Sequence, residues 1–108
     1  MYGASDSGAL DVGRVPMSEL VREPGMALFM DVHNLDGPVT AEDVAKAHAA
    51  DLNIQDEHGV HYLRYWVDES GGKIFCLVDA PDAEAASTVH REAHGLVADE
   101  IHAVTEGD

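Results

Sequence analysis

The alternation of apolar and polar residues predicts four strands and two helices. Segments rich in β-branched and aromatic residues predict strands at 28–33, 60–67, 74–78 and 101–104. The first helix is predicted to follow the N-cap residue Thr40 and to end at Gly59. The second is predicted to begin at Pro81 and to end at Gly95. The polar, glycine-rich segment 68–72 predicts a hairpin turn between the second and third strands.

This order of elements, β-α-β-β-α-β, is typical of ferredoxin-like α+β folds. Right-handed crossovers place both helices on one face of a four-stranded antiparallel sheet. The third strand carries apolar residues on both of its faces, because Phe75 and Leu77 alternate with Ile74, Cys76 and Val78. A small domain rarely leaves such a face in contact with water. We therefore expect a homodimer that forms through the open face of the sheet.

Composition divides the chain into two parts. Residues 1–25 are rich in Gly, Ser and Asp and end in the turn signal Pro24-Gly25, so they predict a flexible N-terminal extension. The remaining residues, 26–108, are enough for a single domain, and we assign the fold and the function to them.

Charge and cysteine content exclude several classes of partner. The chain has 21 Asp and Glu against 6 Lys and Arg, a net charge of −15, which repels nucleic acid and anionic lipid but attracts cations. No apolar run approaches the ~18 residues that span a bilayer. Cys76 is the one cysteine, so a disulfide within the chain is impossible and a cytoplasmic location is the expectation.

The second predicted helix carries the most informative pair of residues. His90 and His94 are four residues apart, so their imidazoles lie one above the other and are able to bind one metal ion. The alternative is two solvated histidines. In zinc proteases of the HExxH type a glutamate follows the first histidine, but here Arg91 occupies that position and Glu92 points away. A protease of this type is therefore excluded.

A second polar cluster lies on the first predicted helix. His48, Asp51 and Gln55 fall in the middle of its apolar face, where polar groups are costly unless they are paired or bind something. This pattern indicates either a site or an internal His48–Asp51 hydrogen bond with Gln55 capping a strand end.

The strands add further candidates. Asp31 and His33 share one face of the first strand, either as ligands or as a strand end that meets solvent. Tyr62, Arg64 and Trp66 are predicted to share one face of the second strand, with Arg64 offsetting the charge of Asp31. Cys76, in the middle of the third strand, is more typical of an inert core residue than of a ligand.

Five strings within residues 27–106 resemble a family of small bacterial proteins, once catalogued only as a domain of unknown function. They are LFMDVH at 28–33, AHAADL at 47–52, the segment 59–66 ending in YLRYW, FCLV at 75–78, and the run 80–95 ending in HREAHG. The resemblance implies a ferredoxin-like dimer that binds nickel, for sequestration or homeostasis. It does not assign individual ligands.

Three hypotheses for the function follow. The least favoured is a sensory or interaction module whose dimerisation responds to metal. The first is a non-enzymatic Ni(II)-binding homodimer, although other divalent transition metals suit the same donors. Its candidate ligands are His90, His94, His33, His48, Asp31 and Asp51. The second is a small-molecule enzyme with a pocket formed by His48, Asp51, Tyr65, Cys76 and His33, in which Asp51 orients His48 as a general base. A deep pocket that contains His48 and excludes His90 would favour the enzyme.

Overall fold

The computed structural model describes residues 22–107 and contains the predicted order of strands and helices. The elements are β1 (Ala27–Asn34), α1 (Ala41–Ile54) with a short 3₁₀ turn (Gln55–His58), β2 (His61–Asp68), β3 (Lys73–Ala80), α2 (Ala83–Ala93) and β4 (Glu100–Ala103). Most of the predicted N-terminal extension, residues 1–25, lies outside the described residues, so that boundary stays a prediction.

The four strands form one antiparallel sheet in the order β2-β3-β1-β4. Both helices cover the same face, since Val44 of α1 and Val89 of α2 belong to one buried cluster with Val60 and Val78. The ferredoxin-like α+β fold is therefore confirmed. In the register of β1 against β3, Asp31 lies opposite Cys76 at the centre of the sheet. This pairing places polar side chains beneath the two helices.

The helix ends follow the predicted capping chemistry. The Thr40 side chain accepts a hydrogen bond from the Asp43 N–H at 3.1 Å, and the Asp82 side chain accepts one from Ala85 at 2.8 Å. Gly59 ends the 3₁₀ turn after α1 with φ +66°, and Gly95 follows α2 with φ +82°. Both φ values lie in the left-handed region, which glycine enters without steric cost.

A β-bulge in β2 changes which face its residues occupy. The register against β3 shifts between Tyr62 and Arg64, so Tyr62 lies opposite Val78 and is buried beneath the helices. Arg64 lies opposite Leu77, on the other face of the sheet. The prediction that Tyr62, Arg64 and Trp66 share one face is therefore wrong, because one extra residue reverses the alternation. Arg64 does not offset the charge of Asp31.

The face of the sheet away from the helices is apolar. Leu28 and Leu77 are buried there, packed against partly buried Met30, Leu63 and Val104. Trp66, opposite Phe75 on this face, remains 47% exposed. Among the helices described between residues 22 and 107, none is long and apolar enough to cross a membrane.

Candidate metal site

Four polar side chains are buried between the sheet and the helices. Asp31 and His33 come from β1, Asp51 from α1 and His90 from α2, and each is at most 3% exposed. Buried polar and charged groups are costly unless they are hydrogen-bonded or bind an ion. Their convergence therefore marks this region as the candidate site.

His90 lies between two carboxylates. Its Nδ1 is 2.9 Å from Asp51 Oδ1, and its Nε2 is 3.0 Å from Asp31 Oδ2. A carboxylate accepts hydrogen bonds, so both ring nitrogens donate when the ring is protonated. Burial opposes this charge, but the hydrogen bonds to Asp31 and Asp51 outweigh burial and raise the pKa of His90 to about 9. The metal-free protein therefore holds an imidazolium here at neutral pH.

One carboxylate oxygen of Asp31 accepts hydrogen bonds, and within the described residues the other accepts none. Its Oδ2 accepts a hydrogen bond from the Tyr62 hydroxyl at 3.1 Å as well as from His90. Its Oδ1 lies 3.3 Å from His33 Nε2, but within residues 22–107 it has no hydrogen bond of acceptable geometry. Burial alone raises the pKa of Asp31, but the adjacent His33 and His90 rings outweigh burial and hold that pKa well below its usual range.

Three donor atoms form a compact triangle, which we call the outer set. Asp51 Oδ1 lies 2.9 Å from His90 Nδ1 and 3.1 Å from His94 Nε2, and the two nitrogens are 3.2 Å apart. Adjacent ligands at right angles and about 2.1 Å from a metal are about 3.0 Å apart. The outer set therefore has the dimensions of one face of an octahedral site.

A second group of donors, the inner set, lies beneath the first. It comprises Asp31, His33, Cys76 and His90, all buried, with one ligand atom from each within 4.8 Å of the others. His90 belongs to both sets, because its Nδ1 faces Asp51 and its Nε2 faces Asp31.

Comparison with known proteins identifies the family of this chain. A model of the family described as nickel responsive protein SCO4226-like matches residues 29–104, which include every residue of both sets. The chain belongs to the SCO4226-like family. The crystal structure of SCO4226 from Streptomyces coelicolor A3(2) is 41% identical and has a TM-score of 0.71; the match covers 76% of this chain and 100% of that one. A comparison with curated proteins finds no match.

In this SCO4226-like chain, His48 belongs to neither donor set. The predicted His48–Asp51 hydrogen bond does not form, because Asp51 instead contacts His90 and His94. The His48 ring packs on Tyr65 with ring centroids 4.8 Å apart. Burial lowers the pKa of His48, and the charge of Asp51 offsets this only in part. Gln55 Oε1 accepts the Tyr62 backbone N–H at 2.8 Å, so this residue caps a strand, as one alternative predicted.

The structure therefore joins the two predicted clusters into one. Asp51 links α1 to the histidines of α2, and His90 links these to Asp31 and His33. Tyr62 also belongs to this network through its hydrogen bond to Asp31, although the sequence pattern did not indicate it as a site residue. The β-bulge that turns its side chain inward has no recognisable signal in the sequence.

A small cavity lies beside these donors. It has a volume of about 20 Å³, enough for about one water molecule or one ion. Among its lining residues are His33, His48, Asp51, His90 and His94. Because it contains both His48 and His90, it is not the pocket that would have favoured an enzyme.

Proposed function

We propose that this protein binds Ni(II) through the outer set, Asp51, His90 and His94, and that it serves nickel sequestration or homeostasis. The observation that carries the proposal is the triangle of donor atoms, with edges of 2.9, 3.1 and 3.2 Å. Asp31 supports it by accepting a hydrogen bond from the other nitrogen of the His90 ring, and His33 lies 3.3 Å from Asp31.

The choice of nickel rests on donor chemistry and on the family. Imidazole and carboxylate donors suit Ni(II), although copper and zinc bind such donors too. The family description, nickel responsive, favours nickel among these ions. The net charge of −15 raises the local concentration of any divalent cation around the protein.

Replacing His94 with alanine tests the outer set, because His94 is its most accessible ligand. We expect the Ni(II) affinity of tag-free protein to fall by more than about 100-fold, since losing even a partner of a ligand costs about 10–100-fold. Isothermal titration calorimetry at pH 7.5 measures this. The matched control is His58→Ala, because His58 lies on the 3₁₀ turn, contacts Glu92 and belongs to neither donor set. Equal affinities of His94→Ala and the wild type would remove His94 from the site.

The Leu96 amide offers a second way to detect metal binding at His94. Its N–H donates to His94 Nδ1 at 3.1 Å, so in the neutral ring Nε2 carries the proton. A metal ion at Nε2 transfers that proton to Nδ1 and removes the acceptor from Leu96. Nickel is paramagnetic, so the readout by NMR is the loss of the Leu96 amide signal through broadening when Ni(II) is added.

The enzyme alternative has less support. A cavity of about 20 Å³ beside His48 is far smaller than the roughly 300–1,000 Å³ of pockets that hold small organic ligands. It fits one ion. We therefore favour metal binding over a reaction at His48, Asp51 and Cys76.

We also propose that the protein is a homodimer that forms through the open face of the sheet. The support is the apolar surface around Leu28, Met30 and Leu77, with Trp66 left half-exposed. A groove of about 310 Å³ lies on this face, and Trp66 and Arg64 line its edge.

Light scattering at micromolar concentration tests this dimer. We expect the wild type to have twice the mass of one chain, and Trp66→Glu to dissociate it because a charge on the buried interface is costly. Leu52→Glu is the matched control, since Leu52 is similarly exposed but lies on α1, away from the open face. A monomeric wild type would contradict the proposal.

A cytoplasmic location completes the proposal. Cys76 is a free, buried thiol, which is compatible with a reducing compartment.

A further inference from the structure

The inner set combines two observations that point to a ligand. Asp31 is 1% exposed, and its Oδ1 lies 3.3 Å from His33 Nε2 but has no hydrogen bond of acceptable geometry within the described part of the chain. Cys76 lies directly opposite Asp31 in the β1–β3 register and carries a free thiol that is 6% exposed. A buried carboxylate oxygen without a partner costs free energy unless something binds it.

We propose that the inner set is a second metal site. It binds a divalent cation that prefers a thiolate ligand and tetrahedral coordination, such as Zn²⁺, and so differs from the nickel site in its donors. Its four ligands are Asp31 Oδ1, His33 Nε2, Cys76 Sγ and His90 Nε2. The proposal goes beyond nickel binding by the outer set and shares only His90 with it.

The number and type of donors favour zinc. Cys, His and Asp are all zinc ligands, and four protein ligands give zinc the closed tetrahedral coordination that it prefers, whereas the outer set offers only nitrogen and oxygen donors. Tetrahedral ligands about 2.0 Å from a metal are about 3.3 Å apart. Asp31 Oδ1 and His33 Nε2 are separated by 3.3 Å. These two atoms already have the spacing of tetrahedral ligands.

Charge balance also favours a divalent ion at this depth. When Zn²⁺ binds, the Cys76 thiol releases its proton and His90 releases the proton at Nε2, while Nδ1 keeps the proton that it donates to Asp51. The ligands are then two anions and two neutral imidazoles. The +2 charge of the ion is then cancelled within the buried site, which avoids the cost of an uncompensated buried charge.

X-ray absorption spectroscopy of tag-free, zinc-loaded wild-type protein tests the proposal without any substitution. We expect one sulfur neighbour at about 2.3 Å from zinc, together with nitrogen and oxygen neighbours. A first shell of nitrogen and oxygen alone would overturn the proposal.

Cobalt and a Cys76→Ser variant give an independent test. Co²⁺-loaded wild type is expected to show the near-ultraviolet thiolate-to-cobalt charge-transfer band, and Cys76→Ser to lose this band and more than about tenfold in Zn²⁺ affinity. The Ni(II) affinity of the folded Cys76→Ser variant should stay within twofold of the wild type. A band that persists in Cys76→Ser would overturn the proposal.

The His94→Ala variant separates this proposal from the nickel site. His94 belongs only to the outer set, so we expect His94→Ala to lose nickel binding and keep the cobalt–thiolate band. If nickel fails to bind the wild type while the sulfur neighbour is present, the nickel proposal fails alone. If nickel binds and no sulfur neighbour is found, the inner site fails alone.

Discussion

Replacing His90 with alanine is expected to lower the free energy of unfolding of the metal-free protein by about 3–5 kcal/mol, the cost of removing one partner from a buried ion pair. The imidazolium lies 3.0 Å from Asp31 and 2.9 Å from Asp51, and both carboxylates are at most 2% exposed. Without His90, two buried negative charges lose their main partner. Urea unfolding at pH 7, followed by circular dichroism, measures the change.

A control variant and the pH dependence of stability test whether the destabilisation is due to the charge of His90. His58→Ala removes a surface histidine paired with Glu92 and should change the free energy of unfolding by no more than about 1 kcal/mol. Because the pKa of His90 is raised to about 9 in the folded state, its stabilising contribution is complete below the unfolded value near pH 6.5 and is lost as pH rises through about 9. The wild type should therefore become less stable across this range, while His90→Ala should lack this loss. A destabilisation by His90→Ala of less than about 1 kcal/mol would contradict the role of His90.

The nickel affinity is expected to rise about tenfold per pH unit between roughly pH 6.5 and pH 9, and then to level off. Nickel at His90 Nδ1 displaces the proton that this nitrogen donates to Asp51, so binding releases one proton wherever His90 is protonated. Histidine spacing alone predicts loss of binding only below about pH 6. The two buried carboxylates raise the pKa of His90 to about 9, so the nickel affinity keeps changing up to a higher pH.

Calorimetry in buffers of different ionisation enthalpy measures both the affinity and the number of protons released. Asp31→Asn is the informative variant, because it removes one charge that stabilises the imidazolium while leaving the outer set intact. We expect the affinity of Asp31→Asn to level off at a lower pH than that of the wild type. A wild-type affinity that is constant between pH 7 and pH 9 would exclude His90 Nδ1 as a ligand.

Several parts of the site are predictable because they depend on local geometry. His90 and His94 are four residues apart on one helix, so their rings must be neighbours wherever the helix packs. Asp31 and His33 are two residues apart on one strand, so they must share a face. In the structure, the rings of His90 and His94 have centroids 4.9 Å apart, and both Asp31 and His33 are buried beneath the helices.

Other parts depend on contacts that no local pattern contains. Helical spacing favours a contact between Asp51 and His48, three residues away, whereas the structure pairs Asp51 with His90, which is 39 residues away. Periodicity places a side chain on the correct face of its own element but does not state which residue of another element it meets. The same limit applies to Tyr62, whose inward direction depends on the bulge in β2.

The sequence by itself therefore determined the order of strands and helices, the N-cap of the first helix, and the pairs of polar residues that share a face of one element. These follow from the 2.0- and 3.6-residue periods and from capping chemistry, which are local. The tertiary structure alone decided that His90 lies between Asp31 and Asp51, with one donor set on each side of its ring. The physical reason is that the packing of α1 and α2 on the sheet sets the distances between groups 39 and 59 residues apart.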